Sequence, residues 1–346
     1  MNTAADRAES DLQEFDSPPA VTGGGEAGIG PWRLAARRMR RRRGALAFGL
    51  IFLVLVAVCM LAPVYADLVA GSGPYENHLT DQVTVDGQSV NVVGYDGIPI
   101  GPTWQGEFLL GADGNGRDVA VRLFYGGRNS LLIGIASAII TTILGLIVGL
   151  LAGYFRGWTD SVLSRLMDIL WAFPVILLGI ALGTSLALGG LALGPIDISG
   201  GSLAIPIFVI AIIYVPYLAR PIRGEVLSLR EKEFVEAARA QGMGSLRLIA
   251  SEILPNVLST ALVFFPLLVA NAILLEAALS FLGAGVQPPE PSWGTMIDEG
   301  VQRIITAPAL AIVPGVMLVL TVLALNVFGE AVRESLDPKA KVRIEH

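Results

Sequence analysis

The chain has 346 residues, 53% of them hydrophobic and only 16% charged, with a mean hydropathy of +0.64. Soluble domains carry about 25% charged residues, so the composition argues against one and for a chain that lives in a bilayer. The net charge of −6 does not identify partners, because the two signs segregate to opposite sides of the membrane.

Residues 1–31 are polar and acidic and are expected to form a disordered cytoplasmic tail. No cleaved signal peptide is expected, since the basic cluster arrives only beside the first apolar run. GGGEAG at 23–28 matches G-x-G-x-x-G but follows no strand, so it is a chance match. AARRMRRRRG at 35–44 reads as an orienting signal for that run rather than a nucleic-acid or lipid site.

Six stretches reach the roughly 20 apolar residues that span a bilayer as helix: 44–66, 130–155, 169–188, 203–218, 257–282 and 310–328. Cytoplasmic loops retain positive charge. With the N-terminus inside, 20 of the 24 Lys and Arg are cytoplasmic, leaving Arg117, Arg122, Arg128 and Arg303 outside. Both termini are therefore expected in the cytoplasm. Cys59, the sole cysteine, lies within the first span and has no internal disulfide partner.

The long outside segment, 67–129, contains QVTVDGQSVNVV, whose valines alternate around Asp86-Gly87 and predict a small β-hairpin. Val119, Val121, Leu123 and Phe124 with Arg117, Arg122 and Arg128 predict an amphipathic helix at the interface. In the second span Gly145, Gly149 and Gly153 share one helix face, which invites close approach by another helix. Pro174 is expected to kink the third span. Segments 189–202 and 283–309 are rich in Gly and Pro, and the second is apolar enough at Trp293 and Met296 to dip toward the membrane.

Fuel and catalytic signatures are missing. No G-x-x-x-x-G-K-[ST] loop occurs, so the chain is not expected to bind ATP by a P-loop. Asp113–Asp118 starts like a calcium loop, but Arg117 occupies its fifth place, and a glycine-rich turn is the better reading. His78 and His346 fall on opposite sides of the membrane and cannot share a metal. No nucleophile–base set assembles, so the chain reads as non-catalytic, without metal or cofactor of its own. Asn271 and Glu276 are polar groups inside the fifth span. Glu276 can line a water-filled path, bond a neighbouring helix or snorkel.

EFVEAARAQGMGSLRLIASEILPN, at 233–256, is polar although it sits between two apolar runs. Helix is predicted over 231–241, with Phe234, Ala237, Ala238 and Gln241 on one face and Glu233, Glu236 and Arg239 around it. That shallow face suits a groove on another protein or an interfacial helix equally well. Gly242 and Gly244 permit a sharp turn, Ser245 can cap a second short helix, and Pro255 suits the first turn of the fifth span.

At Glu236-Ala237-Ala238, Gly242 and Leu254-Pro255 the chain resembles the loop shared by membrane subunits of bacterial ABC importers. LLGADGNGRDVAVRLFYGGRNSL (109–131), RLMDILWAFPVILLGIAL (165–182), EAALSFLGAGVQPPEPSWGTMI (276–297) and LNVFGEAVRESLDPK (325–339) are similar to segments of dipeptide/oligopeptide permeases of the "C" type. Ala112, Gly127, Phe108 and Glu252 depart from that pattern, and the hairpin has no counterpart in it.

The resemblance implies an all-α, six-helix membrane fold of the type I ABC importer permease. Its parts are a first helix with an extracytoplasmic segment (32–128), a permease core (129–330) containing the coupling loop 220–255, and a C-terminal tail (331–346). It implies a bacterial inner-membrane location and no activity of the chain's own. The partners implied are a homologous permease, two ATPase subunits that bind ATP and magnesium, an extracytoplasmic solute-binding protein and membrane lipid. Nucleic acid is not among them. Glu233, Phe234, Glu236, Ala237, Ala238, Gln241, Gly242, Leu254 and Pro255 would contact or serve the ATPase contact, and Asn271 and Glu276 would face the path. The cargo implied is a peptide, with nickel-chelate, glutathione or sugar as alternatives. A secondary transporter would instead show inverted repeats or intramembrane charges.

Overall fold

The computed structural model describes residue 39 and residues 42–85, 87–193 and 196–336. The N-terminal tail through residue 38, Asp86 of the hairpin turn, and 337–346 with His346 lie outside the described residues. Helices α1 (Arg43–Met60), α3 (Val119–Phe155), α6 (Ala204–Leu229), α9 (Leu254–Phe281) and α11 (Ala309–Leu336) are each long and apolar enough to cross a bilayer. The short α2 (Ala62–Tyr65) continues α1. The end of the bundle that carries most of the Arg and Lys is termed the basic end, and the opposite one the hairpin end.

The third expected span is not a single kinked helix. It divides at Phe173-Pro174 into α4 (Gly157–Ala172) and α5 (Val175–Gly189), which meet at 91°. Pro174 lacks an N–H and holds the residue before it out of the helical region, so Phe173 is extended at ψ 141° and the helix stops. At 15 residues, α5 reaches only about 22 Å against a hydrocarbon core of about 30 Å. Beyond it, strands β3 (Leu191–Leu193) and β4 (Ile196–Ile198) form a small hairpin that the sequence reading did not anticipate.

A second difference concerns the expected interfacial helix. Residues 119–128 instead begin α3, a single 37-residue helix about 55 Å long. Asp118 caps it by accepting the N–H of Ala120 and Val121 at 2.8 and 3.1 Å. Its first turns are buried rather than laid on a surface, because α10 (Trp293–Val301) covers them. Trp293, fully buried, donates its indole N–H to the Leu123 carbonyl at 3.1 Å. The segment around Trp293 and Met296 therefore packs into the bundle.

The core of the bundle is the α3–α6 pair. A Cβ on Gly145, Gly149 or Gly153 would stand 3.0 Å from Leu218 Cβ, 2.7 Å from Ile222 Cγ2 and 2.7 Å from Val226 Cβ. The four-residue glycine stripe thus admits a matching stripe of branched side chains. Toward the hairpin end the same face is sealed by hydroxyls: Ser137 donates to Ile207 O and Thr141 to Ala211 O, each at 3.0 Å. Helix α1 packs outside this pair, against α11 and α3, and leaves Leu50, Leu53 and Val54 exposed.

At the hairpin end, strands β1 (Gln82–Val85) and β2 (Gln88–Asn91) pair antiparallel as expected, with Val83 opposite Val90. Their buried side rests on Val92, Phe108 and Ala112. Phe108 meets His78 edge-on at 5.7 Å.

Candidate functional site

The polar stretch between α6 and α9 folds into α7 (Glu233–Ala240) and α8 (Ser245–Leu248), followed by a π-turn, Ile249–Ile253. Both helices sit at the basic end. Helix α7 is anchored by Val235, wholly buried, and by Ala238 one turn later. Glu233, Phe234, Glu236, Ala237 and Gln241 are exposed. Of the four residues expected on one docking face, Ala238 is thus turned into the bundle. The face left open is carried by Phe234, Ala237 and Gln241. Leu246 on α8, 77% exposed, was not singled out from the sequence. Its one signal is a second leucine in the helix SLRL, where Leu248 alone is buried.

Gly242 closes α7 at φ +84°. Its N–H donates to Arg239 O at 3.0 Å, and the next N–H, of Met243, reaches back to Ala238 O at 3.2 Å. This Schellman closure satisfies two end carbonyls and requires a left-handed residue at Gly242. Gly244 is extended at φ −67° and serves as the N-cap of α8, so Ser245 opens that helix without capping it. Pro255 occupies the first turn of α9, where its missing N–H is no loss, and Leu254 starts the helix beside it. The carbonyl of Glu252 accepts from Asn256 Nδ2 at 2.6 Å, and nothing in the structure explains a carboxylate at this position.

The roots of the loop are clamped to the bundle. Arg230 donates to Tyr154 O, and Arg156 pairs with Glu231, both at 2.5 Å. Two turns back along α6, Arg223 forks onto Asp160 of α4 at 2.5 and 2.6 Å. Arg220 pairs with Asp168 at 2.9 Å while lying over the Trp171 ring. A planar guanidinium suits this two-pronged contact. The loop, α3, α4 and α6 are thereby joined at the basic end.

The hairpin end carries a second polar constellation, in the motif GADGNGRD. Asp113 accepts the N–H of Asn115 and Arg117 on one oxygen and Arg117 Nε on the other, at 2.6–3.0 Å. That makes it a turn closed by its own aspartate, as the sequence implied. Arg117 and Arg122 both reach Glu299 of α10, at 3.0 and 3.1 Å. Asp118 also accepts the Phe108 N–H at 2.8 Å. Burial pushes its carboxyl above the usual range, against the opposing pull of these backbone donors.

Of the two polar residues expected near a path, Asn271 is half-buried and accepts Tyr214 Oη on its carbonyl at 3.3 Å. Glu276 is fully buried at the junction of α9, α3 and α10. Gly127, a departure from the resembled pattern, lies where a Cβ would stand 2.7 Å from the Trp293 ring and against Cys59 Sγ.

A bundle of long apolar helices with a broken span, and an exposed polar helix pair at one end, is the architecture of a multi-pass membrane protein. Residues 145–342 match the binding-protein-dependent transport system inner membrane component, and residues 30–85 match the N-terminal TM domain of oligopeptide transport permease C. The chain belongs to this family of ABC importer permeases, as a C-type member. It is 36% identical over 311 residues to the glutathione transport system permease protein GsiD of Pectobacterium atrosepticum, covering 90% of this chain and 92% of that one. The same protein of Shigella dysenteriae serotype 1 and of Escherichia coli O157:H7 is likewise 36% identical, with 90% and 91% covered. In fold, the chain resembles a subunit of the MetNI methionine ABC transporter in an inward-facing conformation. The TM-score is 0.50 at 20% identity, over 62% of this chain and 95% of that one.

Proposed function

We propose that this chain forms half of the membrane path of an ATP-driven importer of di- or oligopeptides. Its basic end would face the cytoplasm, as the distribution of Lys and Arg supports. Helix α7 would dock in a groove of an ATPase subunit through Phe234, Ala237 and Gln241, with Glu233 and Glu236 at its rim. Ala238 would act from behind, by seating α7 on the bundle, and Gly242, Leu254 and Pro255 by setting the angle at which the loop enters α9. ATP and magnesium would be held by two such subunits, since this chain lacks a P-loop sequence. A homologous permease would supply the other half of the path. A solute-binding protein would deliver cargo at the hairpin end, and Asn271 would stand on the path side of α9, while Glu276, fully buried, would bond neighbouring helices instead of facing the path.

The observation that carries this reading is α7 itself: exposed, alanine-rich, closed by a Schellman turn and joined without a break in the chain to a spanning helix. Gly242→Pro should abolish uptake and ATPase stimulation while the chain still inserts, and normal transport by that variant would sink the assignment. A second cargo, glutathione, is favoured by the names of the relatives above; it is itself peptide-like. Thermal stabilisation of the partner binding protein by a dipeptide panel and by glutathione separates the two.

A further inference from the structure

Glu276 is the buried carboxyl that the proposed coupling leaves without a defined task. It lies wholly inside the protein, five residues before the end of α9, and no ion pair reaches it among the described residues. Ser280, one turn on, donates to Glu276 Oε1 at 2.7 Å, and its own oxygen accepts the Val286 N–H at 3.0 Å. Ser130 of α3 accepts the Trp293 N–H at 3.2 Å, and Ser292 accepts the Thr295 N–H at 3.2 Å. In all three serines a backbone N–H occupies the hydroxyl oxygen and leaves the hydroxyl hydrogen to be donated. Of the three, Ser280 is bonded to the carboxyl, and Ser130 and Ser292 stand at the same junction of α9, α3 and α10. Glu276 Oε2 has no partner at hydrogen-bond geometry, so a small approach of α3 or α10 seats a second serine on it.

The backbone confirms that three elements meet here. A Cβ on Gly294 of α10 would stand 2.5 Å from Ala277 O of α9, and one on Gly126 of α3 would stand 3.2 Å from the Ser292 carbonyl carbon. At its other end α10 is held to α3 through Glu299, Arg117 and Arg122. Helices α3 and α10 therefore form one body at the hairpin end. Helix α9 starts at the α7–α8 loop and runs about 33 Å to Glu276.

We propose that Glu276 is a positioning residue: Ser280 orients its carboxyl within α9, and its free oxygen takes the Ser130 or Ser292 hydroxyl in a second arrangement, fastening the far end of α9 to α3 and α10. A displacement of α9 begun at the α7–α8 loop then moves the hairpin-end helices with it. Coupling of this kind is carried by rigid elements with two discrete arrangements. The inference rests on the reading of that loop as the ATPase contact.

The test uses the complete transporter with its partner permease, ATPase and binding-protein subunits. Glu276→Ala should assemble and hydrolyse ATP at the basal rate but lose stimulation by loaded binding protein, with Glu276→Gln intermediate. Spin labels at the exposed Leu188 and Ile305, on a Cys59→Ala background, should no longer change separation on vanadate trapping. Wild-type stimulation and an unaltered separation change in Glu276→Ala overturn the proposal. If that variant does not assemble, Ser130→Ala decides, since it removes the hydroxyl that α3 brings to the junction and leaves the carboxyl in place. Reduced stimulation with intact assembly supports the proposal, and full stimulation overturns it. Failure of the loop reading is distinct, because wild-type ATPase subunits would then not co-purify with this chain at all.

Discussion

The two ends of the bundle are built by opposite means. At the hairpin end, Asp113, Arg117, Arg122 and Asp118 are buried and closed on each other, on Glu299 and on backbone N–H groups. At the basic end, α7 is eight residues long and rests on Val235 and Ala238, with most of its surface in the open. Buried charge is costly unless it is paired, which favours the arrangement that keeps these pairs together. A short helix held by two small side chains can shift as a unit. One end holds its own shape, and the other is completed by something outside the chain.

The contrast can be broken by attacking its stiff side first. Asp113→Ala leaves Arg117 and Arg122 buried with the half-exposed Glu299 as their shared carboxylate, and should cost about 3–5 kcal/mol. A large fall in the detergent melting temperature checks this, and a fall no greater than for an exposed loop aspartate would remove the distinction. On the soft side, Gly242→Ala forces a Cβ into the left-handed region, at about 1–2 kcal/mol confined to the loop. Uptake should drop while the melting temperature of the bundle stays put.

Between the ends, Asp160→Arg and Arg223→Asp should each weaken the α4–α6 junction, and the double swap should recover about 1 kcal/mol of coupling. The double-mutant cycle measures it in thermal stability. Smallest is Thr141→Val, which removes one interhelical hydrogen bond at about 0.6 kcal/mol. A larger loss there would mean that hydroxyls, rather than the glycine stripe, hold α3 to α6.

Much of this was legible in the residues because it depends on local chemistry. Gly145, Gly149 and Gly153 repeat at four, so their shared face follows from the helical period. Asp86-Gly87 between alternating valines specified a hairpin, and Gly242 required a turn wherever α7 ended. Residues 119–128 misled because the period of an interfacial helix and of the buried start of a longer one is the same. Trp293 of α10, 170 positions away, and Tyr65, Ala66 and Ala70 just after α1 cover that face. Pro174 signalled a disturbance, but a kink and a 91° break differ in what the neighbours accept: here the Arg220 and Arg223 pairs hold α4 aside.

By itself the sequence determined that the chain crosses a membrane several times, which end carries the positive charge, and which segment is too polar to be inside. Period, hydropathy and charge are properties of neighbours along the chain. Tertiary structure alone decided that Ala238 faces inward while Phe234 faces out, and that Glu276 sits among three serines from three elements. Those facts depend on which helix covers which face, and burying backbone and carboxyl groups away from water leaves few arrangements that satisfy them.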